Sequence, residues 1–301
     1  MDQFVYGITI PTTNTIAYFT EFKSKHYKSF VKTLINNDPY IICEFIDGII
    51  DKLMYRGPSV HTLNVIDKLY ILIALRANNV SPTIDFNLQI KDEKKKQIIV
   101  TLMLNDMLNV IETFKIKNSF NVTSADTKTV ITGTLPKWFY FDNLGSLIAS
   151  CIDTITFNDK LITLTDFNIR DRISIVDQLP APVFSEIVNL ITEQNEVISN
   201  TPIYTFDAGD VELAGTSEIK ISLFDSSCFQ LIKMIFGSNL KEFYEIDYHL
   251  GKAKVSYQMI NDYTPAELSL LFNIISDDAK KQKAEIDKQQ EPQGHMVPPK
   301  Q

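Results

Sequence analysis

Apolar residues in the first quarter of the chain recur at helical spacing after a short alternating stretch. Phe4–Ile10 and Thr15–Phe22 alternate in and out around Pro11-Thr12-Thr13-Asn14, which predicts two short strands and a turn. Tyr27, Phe30, Val31, Leu34 and Ile35 then mark a first helix. Asp38-Pro39 is a helix start, and Ile42, Phe45, Ile46, Ile49, Ile50 and Leu53 form one broad face of a second helix. Arg56-Gly57-Pro58 stops it, with Gly just past the helix and Pro beyond. Asn64 or Thr62 caps a third helix carrying Ile66, Leu69, Tyr70, Ile73 and Ala77. Leu72 and Leu75 spread that face almost all round, so this helix is expected at the centre.

From Ser81-Pro82 the period falls to two. Ile84, Phe86, Leu88 and Ile90 alternate with polar residues, and Gln97–Leu104 is the expected hairpin partner across a basic turn at 91–96. Strands are expected at Phe114–Val122, Thr127–Leu135 and Lys137–Phe141, and a short helix near Leu144–Ile152. Thr154–Phe157 and Lys160–Leu164 flank Asn158-Asp159 as a further hairpin. Helices return after Asp166, with Val183–Val197 the clearest. Two short strands at Ile203–Phe206 and Glu218–Leu223 interrupt them before Ser226–Phe236, Leu240–Leu250 and a turn over Val255–Ile260. The pattern is that of an α+β fold in which helical N-terminal and C-terminal regions pack together around a β-rich middle. Residues 1–80 form a hairpin plus three helices, 81–165 the β-rich part, 166–290 a mainly helical part, and 291–301 a Pro-rich disordered tail.

The last helix is written out most fully. In Tyr263-Thr264-Pro265-Ala266-Glu267-Leu268, Thr264 and Glu267 make a capping box, Pro265 occupies the first turn, and Tyr263 and Leu268 stand at the staple positions. Leu268, Leu271, Phe272 and Ile275 give one apolar face, and Asp277–Lys288 is nearly all polar apart from Ile286. Two readings follow: an ordinary last helix with a frayed charged end, or an anchored helix whose free half docks on a partner. The aromatic run Trp138-Phe139-Tyr140-Phe141 also has two readings, a core strand and an exposed contact patch.

Composition narrows the function classes. The chain has 301 residues, 45% hydrophobic and 22% charged, which suits a folded soluble protein able to bury a core. A net charge of −8 argues against a phosphate-tracking nucleic-acid binder. Lys94-Lys95-Lys96 beside Asp92 and Glu93 reads as a solvated loop. The N-terminus lacks a basic start and an apolar stretch, so no signal peptide is expected. Leu69–Leu75 and Ile98–Leu104 are too short to span a bilayer. Cys43, Cys151 and Cys228 are widely separated in apolar contexts and read as buried free thiols.

Catalytic templates fail: there is no Walker A loop, no G-x-G-x-x-G, no H-E-x-x-H, no EF-hand and no G-x-S-x-G elbow. His26, His61, His249 and His295 are scattered. Asp207, Asp210 and Glu212 share one loop and are the strongest candidates for a metal or acid/base site, although polar hairpin loops have the same composition. The residues alone therefore point to a non-enzymatic α+β protein that works by contact, without a cofactor or metal.

Two groups of segments resemble a known family. One is Phe45–Ile50 with Val65–Ala77 and the strand after Pro82. The other is Ile221–Asp225 with the helix to Phe236, Tyr263–Leu268 and its Lys/Glu-rich tail. About half of the chain is thus similar to the baseplate hub and hub-assembly proteins of T-even-like contractile-tailed bacteriophages. The resemblance implies a hub subunit, or a factor that helps hub subunits assemble, whose partners are other baseplate or tail hub proteins. It implies a place in the host cytoplasm during assembly and in the virion baseplate if the protein remains there. No catalytic residue comes with it. The expected contact residues are Trp138, Phe139 and Tyr140 together with Leu268, Leu271, Phe272, Ile275 and Ile286. Two other readings stay beside this one: a virion-associated hydrolase using Asp207 and Asp210, and an unrelated cytoplasmic adaptor.

Overall fold

The computed structural model describes residues 4–36, 38–91, 96–124, 128–208, 212–213, 217–237 and 240–290, with side chains left out at 240, 242 and 286–290. The disordered tail expected over 291–301 and the lysine turn at 92–95 lie outside the described residues, Lys96 excepted.

Strands β1 (Val5–Thr9) and β2 (Ile16–Thr20) pair antiparallel as the alternation requires. Helices α1 (Ser24–Leu34) and α2 (Pro39–Leu53) follow. Asp38 caps α2 by accepting from the amides of Tyr40 at 3.0 Å and Ile41 at 3.4 Å. The chain leaving α2 adds a short strand β3 (Met54–Arg56) to the far side of β2, where the sequence suggested only a helix stop. Asn64, not Thr62, caps α3 (Val65–Asn79), accepting from Ile66 and Asp67 at 2.8 and 3.0 Å.

The middle region opens with the hairpin β4 (Thr83–Gln89) and β5 (Gln97–Met103). It continues directly into a helix, α4 (Leu104–Glu112), that the sequence reading left without an element. Leu104, Met107 and Ile111 sit at i, i+3 and i+7, and all three are buried. Strands β6 (Ser119–Ser124) and β7 (Thr129–Thr134), helix α5 (Leu144–Cys151), and strands β8 (Ile152–Phe157) and β9 (Lys160–Thr163) complete the region. The four strands form one antiparallel sheet in the order β6-β7-β8-β9. Its β8–β9 turn has positive φ at both Asn158 (46°) and Asp159 (61°), the conformation of a type I′ hairpin. The register of β7 on β8 shifts at Thr132/Gly133, where a Cβ on Gly133 would lie 2.4 Å from the Cys151 carbonyl oxygen and 2.5 Å from the Phe120 ring. Only glycine fits that crossing.

Helices α6 (Ile169–Val176) and α7 (Ala181–Ser199) lead to the small ladder β10 (Tyr204–Thr205) and β11 (Glu218–Ile219). Helices α8 (Ser227–Phe236), α9 (Leu240–Lys252), α10 (Tyr257–Asp262) and α11 (Pro265–Gln290) end the described chain. The α+β arrangement is as expected: N- and C-terminal helices meet through α1, α3 and α8, with Phe30 and Phe236 ring centroids 4.6 Å apart.

Most buried side chains from Ile8 to Phe236 form one continuous core. At its centre α3 is buried on every face from Val65 to Arg76, as its apolar girth predicts. Each polar group on α3 is answered from a different part of the chain. Asn64 donates to Asn118 at 2.7 Å, and Asp67 accepts from the Thr12 amide and hydroxyl at 3.1 and 2.7 Å. The Tyr70 hydroxyl bonds Glu112, and Arg76 donates to the carbonyls of Ile235 and Ser81 at 2.8 Å each. Asn79 accepts from the Phe22 amide at 3.0 Å and donates to the Tyr6 hydroxyl at 2.7 Å.

Lys68 is the extreme case. Its side chain is 1% exposed, pairs with Asp47 of α2 at 2.6 Å and donates to the Lys137 carbonyl at 2.9 Å. Burial pulls the Lys68 pKa down, and the Asp47 carboxylate opposes that. Asp47→Ala is expected to cost about 3–5 kcal/mol by leaving a buried ammonium unpaired. Adding Lys68→Met is expected to recover more than half of that loss. Urea unfolding of the single and double variants measures both.

Candidate contact surface

Residues 137–141, expected as a strand, carry no strand pairing; they cross the N-terminal end of α3, where the Val65 amide donates to the Pro136 carbonyl at 2.7 Å. Trp138 and Phe139 are buried, and Tyr140 is half-buried. Tyr40 packs edge-on to Trp138 and Tyr140 at 6.5 and 5.6 Å, Tyr140 meets Phe229 at 5.9 Å, and the Arg172 guanidinium lies 5.8 Å over the Trp138 ring. Lys137 pairs with Asp153 beneath them. Of the two readings of this run the interior one holds for Trp138 and Phe139: the aromatics serve the core and present little surface. The reason is that three neighbouring layers (α2, α6 and α8) close over them. A cavity of about 170 Å³ beside Trp138 is lined by Lys68 and Asp47, which pair with each other, and by Lys137, which pairs with Asp153 outside the lining.

The α9–α11 unit is organised differently. Leu250, Ile260 and Leu268 form a small core of their own, joined by Ile246, Val255, Tyr263, Leu271, Phe272 and Ile275. The capping box forms as read: the Thr264 amide donates to Glu267 at 2.7 Å, and the Glu267 amide donates to the Thr264 hydroxyl at 3.3 Å. Leu268 is buried and Leu271, Phe272 and Ile275 are half-buried, so the named apolar face points inward. The side chain of Ile286 lies outside the described residues. On the opposite side Leu270 and Ile274 are 62% and 51% exposed, and residues 277–285 are exposed throughout. The sequence reading missed this outward pair. Its signal was there: two large apolar residues one turn apart, off the stripe that anchors the helix.

The carboxylate loop assembles no site among the described residues. Asp210 lies outside them, and Glu212 is an exposed partner of Lys91 at 2.6 Å. No group of three or more His, Cys, Asp or Glu able to hold a metal occurs among the described residues. The three cysteines are buried and free, and burial pushes each thiol up to about 12. No helix among the described residues is long and apolar enough to cross a membrane.

The family model described as T4 bacteriophage base plate protein matches residues 1–206, more than half of the chain. The chain belongs to that family. No curated protein and no solved structure matches it. The matched part of this baseplate protein runs from β1 to the ladder strand β10, so it takes in α3 and its tethers. The capped helix α11 and its exposed face lie beyond it.

Two substitutions separate the anchoring of α11 from the rest of the baseplate protein. Thr264→Ala is expected to cost about 1 kcal/mol as a lost cap, and Leu268→Ala about 2–5 kcal/mol as a core truncation. Hydrogen exchange should quicken in α9–α11 and stay unchanged in α3.

Proposed function

We propose that this baseplate protein works at the tail hub, as a hub subunit or as a factor that brings hub subunits together, by protein–protein contact and without catalysis. The observation that carries the reading is the family match over residues 1–206. The outer face of α11 adds a means of contact: Leu270 and Ile274 stand out from a helix fixed at its start by a cap and a small core. Beyond them the helix runs on with Asp277, Asp278, Lys280 and Lys281 exposed, a polar rim next to an apolar centre. The partners are other baseplate or tail hub proteins, met in the host cytoplasm during assembly. Residues 277–285 belong to the docking surface in this reading.

The test is co-purification of the tagged protein with hub and tail proteins from infected cells. Leu270→Asp with Ile274→Asp leaves the fold intact, because both side chains are exposed. It is expected to weaken hub association about tenfold or more, equivalent to about 1.4 kcal/mol. Association unchanged by the pair removes this face from the reading. Absence of the protein from both assembled baseplates and hub intermediates removes the hub itself.

A further inference from the structure

The α9–α11 unit meets the rest of the molecule along α1, through contacts unlike those of the core. Lys25 bonds Asp262 at 2.7 Å, and Lys28 bonds Asp247 at 2.5 Å. The Ser24 amide donates to the Tyr263 carbonyl at 2.8 Å, and Lys32 lies 5.5 Å over the Tyr244 ring. Lys25, Lys28 and Lys32 stand at i, i+3 and i+7, so one face of α1 presents a row of ammonium groups to the acids and rings opposite. Among the described side chains of the unit, Phe243 is the one that packs into the large core, with its ring 4.9 Å from that of Tyr27.

This seam is also poorly satisfied. Among the described residues, the buried side-chain polar atoms without a hydrogen-bond partner are Ser24 Oγ, His26 Nδ1 and Asp247 Oδ1. Ser24 and His26 are in the first turn of α1, and Asp247 faces it from α9. A buried polar atom left unpaired favours the state in which it regains water. On one side of the seam the unit holds itself together by its own core and caps, with Ser256 capping α10 and Thr264 capping α11. On the other side α1 is held by the large core through Tyr27, Phe30 and Val31. Separation therefore breaks two ion pairs, the Ser24–Tyr263 hydrogen bond and the ring contacts Lys32–Tyr244 and Tyr27–Phe243, and leaves each side with its own core.

The geometry points to a latch: α9–α11 is an arm that releases from α1 as a folded piece, held closed chiefly by Lys25–Asp262 and Lys28–Asp247. Release bares the basic row of α1 and the Tyr27 ring. The inference does not depend on a role at the hub.

The test uses the full chain with Tyr55→Cys and Ala279→Cys. Both positions are exposed, and the native cysteines are buried, so spin or fluorescent labels go to the introduced thiols. Asp247→Lys with Asp262→Lys should lengthen the label distance at low salt and neutral pH. Restoring the pairs in reverse, with Lys25→Asp and Lys28→Asp added, should shorten it again. If Asp247→Lys/Asp262→Lys leaves the distance unchanged, or the fourfold reversal fails to restore closure, the latch is overturned and Phe243 packing holds the arm.

Discussion

A helix with no polar face sets the terms for this structure. Because α3 is apolar all round, it is stable only when every side is covered, and the elements that cover it come from both ends of the chain. The harder constraint is its polar residues. Asn64, Asp67, Lys68, Tyr70, Arg76 and Asn79 sit on a helix with almost no contact with water, so each must be answered inside the protein or it costs the fold dearly. The answers come from the β1–β2 turn, α2, the 137 segment, α4, the end of α8 and the β2–α1 connection. Each buried polar side chain thereby specifies its neighbours, in the case of Lys68, Arg76 and Asn79 more than one. Apolar packing alone would tolerate sliding of α2 or α8 along α3; the Lys68–Asp47 pair and the Arg76–Ile235 bond do not.

Local signals in the sequence were legible where the chemistry is local. Asp38 and Asn64 cap the helices they precede, and the Thr264–Glu267 box forms. The Asn158-Asp159 turn adopts the positive φ pair that a tight hairpin needs. The all-round apolar pattern of α3 gave its central place. The failures have physical causes. α4 was hidden because its first residue continues β5 without a break, so an alternating run concealed a Leu104-Met107-Ile111 stripe. β3 is three residues long and exists only because β2 offers an edge. Residues 137–141 look like a strand by composition, but a strand needs a partner, and their backbone is taken up with α3.

The contact surface was legible only in part, for a related reason. Periodicity finds the face of a helix that anchors it. Leu268, Leu271, Phe272 and Ile275 are therefore the residues that a pattern search selects, and the structure turns them inward. What is left for a partner is the remainder, Leu270 and Ile274, visible only by subtracting the anchoring stripe. Trp138 and Phe139 show the converse: an aromatic run with no alternation has no outside face to predict.

The chain thus joins its parts by two kinds of charge. In the body, Lys68 and Lys137 are almost fully buried while their acids, Asp47 and Asp153, are 22% and 32% exposed, and each pair fixes position. At the seam on α1, Lys25–Asp262 is half-exposed on both sides, whereas Lys28–Asp247 is largely buried, 10% and 16% exposed, with one carboxylate oxygen unanswered. A charge pair placed in water is weak and exchangeable, whereas one placed in the core is expensive to break. The Lys68 and Lys137 pairs therefore lock the body around α3, while the seam on α1 combines one exchangeable pair, Lys25–Asp262, with a buried one that is incompletely satisfied. A protein that must be rigid in one part and available to a partner in another needs that difference in burial more than any difference in composition.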